Sequence, residues 1–145
     1  MPSTRRTRVL ACTPERVADV VGDPYHLPRW WPKVRRVERV SAGRFTQVMQ
    51  TAKGKPVRAD FRLAAIEPLQ RYAWEQELEG TPFEGLLARA RTEVTLHAAG
   101  ERETEVSIEL LQKLRGWARF GPFLFRRAAR VQLDEALESL ARLCG

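Results

Sequence analysis

The sequence predicts an α+β domain: seven antiparallel strands in one sheet, a long C-terminal helix lying across it, and two short helices between the first and second strands. Three observations carry that expectation. Apolar residues alternate with a period of two from about residue 33 to residue 113. Ala129, Leu133, Ala136, Leu137, Leu140 and Cys144 form one stripe at helical spacing. Between residues 13 and 32, proline and glycine cut the chain into helical pieces of one to two turns.

Taken in order, "TRRTRVLAC" reads as the first strand, with Val9 and Ala11 expected inward. Thr13 supplies an N-cap and Pro14 a first helical position, since proline lacks an N–H that would be unpaired there. The helix buries Val17, Val20 and Val21, and Gly22 is expected to end it in the left-handed conformation. Asp23-Pro24 starts a second short helix that runs to about Trp30. Pro32 stops it, because a proline pushes the preceding residue out of the helical region. Successive helical residues point about 100° apart, so one of Trp30 and Trp31 is expected inward and the other at a rim, as a lid.

Six strands follow, joined by short turns and therefore antiparallel. "VRRVERV" and "RFTQVMQT" flank the turn "SAG". "PVRADFRLAAI" sets Val57, Ala59, Phe61, Leu63 and Ala65 on one face. "RYAWEQELEG" sets Tyr72, Trp74, Gln76 and Leu78 opposite Glu75 and Glu77. "LLARARTEVTL" sets Ala88, Ala90, Thr92, Val94 and Leu96 on one face, and "TEVSIELLQ" does the same for Val106, Ile108 and Leu110. The other face carries arginine against glutamate, a pattern suited to cross-strand pairing in water. An apolar sheet face must be covered. Gly121-Pro122 opens the helix that covers it, about 35 Å long at ~1.5 Å per residue.

Residues 1–145 make one domain, with 43% hydrophobic and 30% charged residues. No apolar run reaches the ~20 residues of a membrane span. The basic N-terminus has no apolar run behind it, so no leader is expected and the cytoplasm is the default location. Cys12 and Cys144 match no metal or redox spacing and are expected to be reduced fillers. Net charge is +7, with 21 arginines and 4 lysines. Residues 113–130 concentrate six cations and no anion. Such a patch suits RNA or an anionic membrane surface through Arg119, Arg126, Arg127 and Arg130, or is a solvated helix start whose phenylalanines face the core. DNA is not expected, and the oligomeric state is left open.

The segment "TPERVADVVGDPYHLPRWWPKVRRVERV", with Pro14, Val17, Asp23, Leu27, Trp30, Pro32 and Val34 at the matching positions, resembles the START-like superfamily. That superfamily is also called helix-grip or SRPBCC, and includes birch-pollen-allergen and polyketide cyclase-like proteins. The ending "GPFLFRRAARVQLDEALESLARL" is similar to its last helix, so the resemblance covers the whole chain. It implies a curved sheet wrapped around the C-terminal helix, with an apolar cavity between them. It also implies a function among lipid carriers, cyclases, hydrolases and ribosome-associated proteins.

Small residues on facing layers either bring the layers together or leave a void; with the resemblance, the void is expected. The expected role is to bind a small hydrophobic ligand: a lipid, a quinone or a polyketide-like molecule. Its walls are expected to be Trp30, Phe61, Leu63, Trp74, Gln76, Ala90, Thr92, Ile108, Phe125, Arg126, Ala129 and Leu133. Gln76, Thr92 and Tyr72 are the inward polar groups, free to pair with a ligand, with water or with each other. A polyketide cyclase or dehydratase and an RNA- or ribosome-associated protein are the alternatives. Catalytic residues are not identifiable: His26 and His97 belong to no Ser/His/Asp or Cys/His arrangement. No metal site and no cofactor are expected.

Overall fold

A computed structural model describes residues 3–51 and 53–144. The chain runs β1 (Ser3–Leu10), α1 (Pro14–Val21), a 3-10 turn (Pro24–His26), α2 (Leu27–Trp30), β2 (Val34–Ser41), β3 (Arg44–Gln50), β4 (Pro56–Glu67), β5 (Arg71–Gln76), β6 (Leu87–Gly100), β7 (Glu103–Leu114), a second 3-10 turn (Gly116–Phe120) and α3 (Pro122–Cys144). All seven strands form one antiparallel sheet in the order β1-β7-β6-β5-β4-β3-β2. Five successive hairpins build β2 to β7, and β1 returns to pair with β7 from Ser3↔Leu111 to Leu10↔Thr104. The α+β, seven-stranded expectation therefore holds, with two short helices at the first corner and α3 across the sheet.

Local chemistry accounts for the corner. The Thr13 hydroxyl accepts from the Arg16 amide at 3.3 Å, and the Asp23 carboxylate accepts from the Tyr25 amide at 3.0 Å. Each cap satisfies a donor that a helix start leaves unpaired. Along α3, Ala129, Leu133, Ala136, Leu137 and Leu140 are buried against β1, β7, α1 and α2. The outer sheet face carries the expected ion pairs. Glu75 accepts from Arg89 at 2.7 Å and lies 3.4 Å from Arg62 and 4.0 Å from Arg91. Arg71 bridges Glu67 and Glu93, and Glu38 meets Arg36 and Arg58.

Four local expectations are corrected. In β1 the buried residue is Leu10, with Cys12 beyond the strand, while Val9 and Ala11 face solvent. β1 is an edge strand with five of its eight residues Arg or Thr, so its alternation carries too few apolar positions to set the phase. In β6 a bulge between Leu87 and Arg89 buries Leu87 and exposes Ala88. Gly22 is right-handed at φ −78°, not left-handed. Finally, Cys12 and Cys144 form a disulfide, with Cα atoms 5.6 Å apart across 132 residues of sequence.

The cysteines meet because α3 returns its last turn to the end of β1. There the Thr104 hydroxyl donates to the Cys12 carbonyl at 2.7 Å, and an Arg16 guanidinium N–H donates to the Leu143 carbonyl at 3.2 Å. A disulfide suits oxidising surroundings, which runs against the cytoplasmic expectation. Among the described residues no helix is long and apolar enough to cross a membrane.

Candidate ligand site

The inner face of β3, β4 and β5 meets α2 in a cluster of aromatic rings. Trp30, Trp31 and Trp74 make a triangle, with centroids 5.4, 6.2 and 6.3 Å apart and planes 76–87° from one another. Phe45 stacks on Phe61 at 5.4 Å and meets the edge of Trp74 at 6.4 Å. Edge-on contact places the positive rim of one ring on the negative face of the next. Both Trp30 and Trp31 are buried, at 1% and 6% exposure, so neither is a lid at a rim. The reason is backbone geometry: α2 ends at Trp30, and Trp31 is extended at φ −89° and ψ 127°. The 100° helical step no longer applies, and both rings turn to the same interior.

Two polar atoms inside this region have no hydrogen-bond partner among the described residues: Trp30 Nε1 and Gln47 Nε2. Gln47 is buried on β3, with Ala59 opposite on β4 and Val37 opposite on β2. A buried unpaired N–H costs roughly 1–3 kcal/mol, so two in one core need a physical account. Both are donors, and both therefore call for the same complement, an acceptor oxygen. By contrast, the Tyr72 hydroxyl accepts from the Leu69 amide at 3.2 Å. Gln47 was not among the sequence candidates. Its signal lies in "RFTQVMQ", where a glutamine shares a face with Phe45 and Met49.

The expected wall residues divide into four groups. Trp30, Phe61, Leu63, Trp74, Ile108, Ala129 and Leu133 belong to the main core or pack against it. Thr92 is buried opposite Trp74, and half-buried Gln76 stands opposite Phe61. Ala90 lies instead in a satellite cluster with Leu78 and Leu87, and Phe83 touches both clusters. Phe125 and Arg126 line a separate niche of about 10 Å³ with Thr4, Gln112, Leu114 and Pro122. The crevice beside Trp74, lined by Phe45, Leu63, Tyr72 and Leu27, is also only about 10 Å³. A larger cleft of about 440 Å³ opens between Pro32-Lys33 and the flank of α3 from Leu124 to Glu135.

No Asp, Glu or His is buried among the described residues, and none of them forms a group of three or more His, Cys, Asp or Glu able to hold a metal. The shifted ionisable groups are on the outer sheet face: Arg89 holds the Glu75 carboxyl below the usual carboxylate range, chiefly through its hydrogen bond. His26 is half-exposed, with Nδ1 3.0 Å from the Asp19 carbonyl.

The model of the family described as polyketide cyclase/dehydrase and lipid transport matches residues 1–145. The chain belongs to this family. Solved structures extend the likeness to the whole fold. A START superfamily protein from Mycobacterium smegmatis is 11% identical with a TM-score of 0.80, covering 98% of this chain and 96% of that one. The Zhui aromatase/cyclase from Streptomyces sp. R1128 is 16% identical with a TM-score of 0.72, covering 97% and 89%. The di-domain ARO/CYC BexL from the BE-7585A biosynthetic pathway is 19% identical with a TM-score of 0.81; the match covers 98% of this chain and 46% of BexL. At such identities the likeness is one of fold. No match is found among curated proteins. The family and its helix-grip architecture support a hydrophobic-ligand or cyclase role for this member.

Proposed function

We propose that this protein binds a small apolar ligand bearing an acceptor oxygen, of the lipid, quinone or polyketide-like class, in the aromatic interior between the sheet, α2 and α3. The observation that carries the reading is the pair of donors, Trp30 Nε1 and Gln47 Nε2, without a partner among the described residues in a mostly apolar core. Ligand sites of this kind are mostly apolar, with a few placed polar groups that set orientation. A ketone or quinone oxygen would satisfy either N–H, and the rings of Trp31, Trp74, Phe45 and Phe61 would flank the carbon skeleton. The crevice beside Trp74 is small as it stands, so a guest must make neighbouring side chains repack.

The same donors would polarise a bound carbonyl, as a cyclisation requires. No buried carboxylate or histidine accompanies them among the described residues.

Native mass spectrometry on gently purified protein tests it, together with titration of 1,4-naphthoquinone followed by quenching of the buried tryptophans. Saturable quenching that weakens about 3–10-fold in Gln47→Leu, the value of one hydrogen bond, supports the proposal. A protein that carries no apolar mass and ignores quinones and fluorescent fatty acids refutes it.

A further inference from the structure

Trp117 and Phe120 in the second 3-10 turn, and Phe123 at the start of α3, are 88%, 80% and 65% exposed. Leu124 and Val131 continue the patch along the outer face of α3. Large apolar groups gathered at one place on a surface mark a contact site rather than chance. Arginines are interleaved with them: the Arg119 guanidinium lies 5.9 Å from the Phe120 ring centroid, and Arg126, Arg127 and Arg130 project from the first turns of α3. Among the described residues, none of these four lies within ion-pair distance of a carboxylate, although the sheet arginines Arg58, Arg62, Arg71, Arg89 and Arg91 all do. Four arginines without an ion pair thus share the surface that also exposes the aromatic rings.

We propose that this surface, from Trp117 to Val131, docks on an anionic lipid bilayer. Rings and aliphatic chains enter the boundary between head groups and acyl chains, while arginines meet the lipid phosphates and carboxylates. The 440 Å³ cleft continues the surface: Leu124 and Val131 form an aliphatic wall, Arg127 and Lys33 line it beside them, and Glu135 also lines it. An acyl chain with an anionic head group fits that division. A nucleic acid could stack on Trp117, Phe120 and Phe123 but would leave the exposed aliphatic groups of Leu124 and Val131 without a partner, which a bilayer supplies. A symmetric second copy is disfavoured because the patch would meet itself, arginine against arginine.

Of the four tryptophans, only Trp117 is exposed; Trp30, Trp31 and Trp74 are at most 6% exposed. The test is co-sedimentation of the full chain with vesicles of phosphatidylcholine alone or mixed with phosphatidylserine, with tryptophan emission and quenching by brominated lipid read in parallel. Binding to the mixed vesicles only, weakened by salt, with a blue shift and quenching that vanish in Trp117→Phe, is expected. The triple variant Arg119→Glu, Arg127→Glu, Arg130→Glu should bind roughly 100-fold more weakly. Absence of binding to either vesicle, equal binding to both, or salt-independent binding overturns the proposal. So does binding of poly-uridine RNA by a protein that ignores vesicles, or a dimer that dissociates in Trp117→Ser with Phe120→Ser. The salt titration on the unaltered chain decides the matter should a variant fail to fold.

Discussion

The backbone of Gly22 lies against the ring of Tyr72: a Cβ at position 22 would stand 3.1 Å from Tyr72 Cε1 and 2.7 Å from the Ala18 carbonyl oxygen. Glycine is needed at the end of α1 for this close approach, because its φ of −78° is open to any residue. Tyr72 is buried and tied through its hydroxyl to the Leu69 amide, so its ring has little freedom to yield. Gly22→Ala should destabilise the fold by ~1–3 kcal/mol, the usual cost of overpacking, as read from the midpoint of urea unfolding. An unchanged midpoint would show that α1 shifts freely on the sheet.

Gln47 separates stability from binding. Leucine is close to glutamine in size and removes the unpaired Nε2 from a buried strand position. Gln47→Leu should therefore raise unfolding stability, by about 1 kcal/mol, while weakening acceptor-bearing ligands. A loss of stability would mean that the amide is already satisfied, for instance by buried water, and needs no ligand.

The disulfide joins the start of the chain to its end. Closing a loop of this size constrains the unfolded chain strongly, and loss of a native disulfide costs typically 2–5 kcal/mol. Cys144→Ser should lower stability by an amount in that range and leave the near-ultraviolet signature of the buried tryptophans intact. Intact-mass measurement before and after reduction and alkylation checks the bond itself; two alkylatable thiols in the untreated protein would contradict it.

Glu75 gives the fold a pH dependence with a definite sign. Its carboxyl is depressed by the hydrogen bond from Arg89 and the nearby charges of Arg62 and Arg91. A depressed carboxyl stabilises the fold at pH values above its unfolded pKa, and that stability is lost as pH falls through the folded pKa. Glu75→Gln should cost about 1 kcal/mol at neutral pH, a modest figure because the arginines are partly exposed. The gap between variant and unaltered protein should close in acid, below about pH 4. A gap that is the same at pH 3 and pH 7 would show that the charge of Glu75 plays no part.

Local pattern in the sequence suffices for the sheet, the corner and the rod across them. Alternation along "PVRADFRLAAI" and the stripe from Ala129 to Leu140 are local periodicities, and each tells which side of its own element faces inward. The Thr13 and Asp23 caps are equally local, a side chain meeting an amide two or three residues away. Long-range packing is what turns Leu10 rather than Val9 to the core, brings Trp31 inside beside Trp30, sets Gly22 against Tyr72, and joins Cys12 to Cys144. It also set Ala90, Phe125 and Arg126 apart from the aromatic cluster and left Trp30 and Gln47 with open donors. Each of these depends on which surfaces of distant segments come together. A period within one segment reports only the hydrophobic preference of that segment, whereas a partner is chosen by the closure of the whole chain.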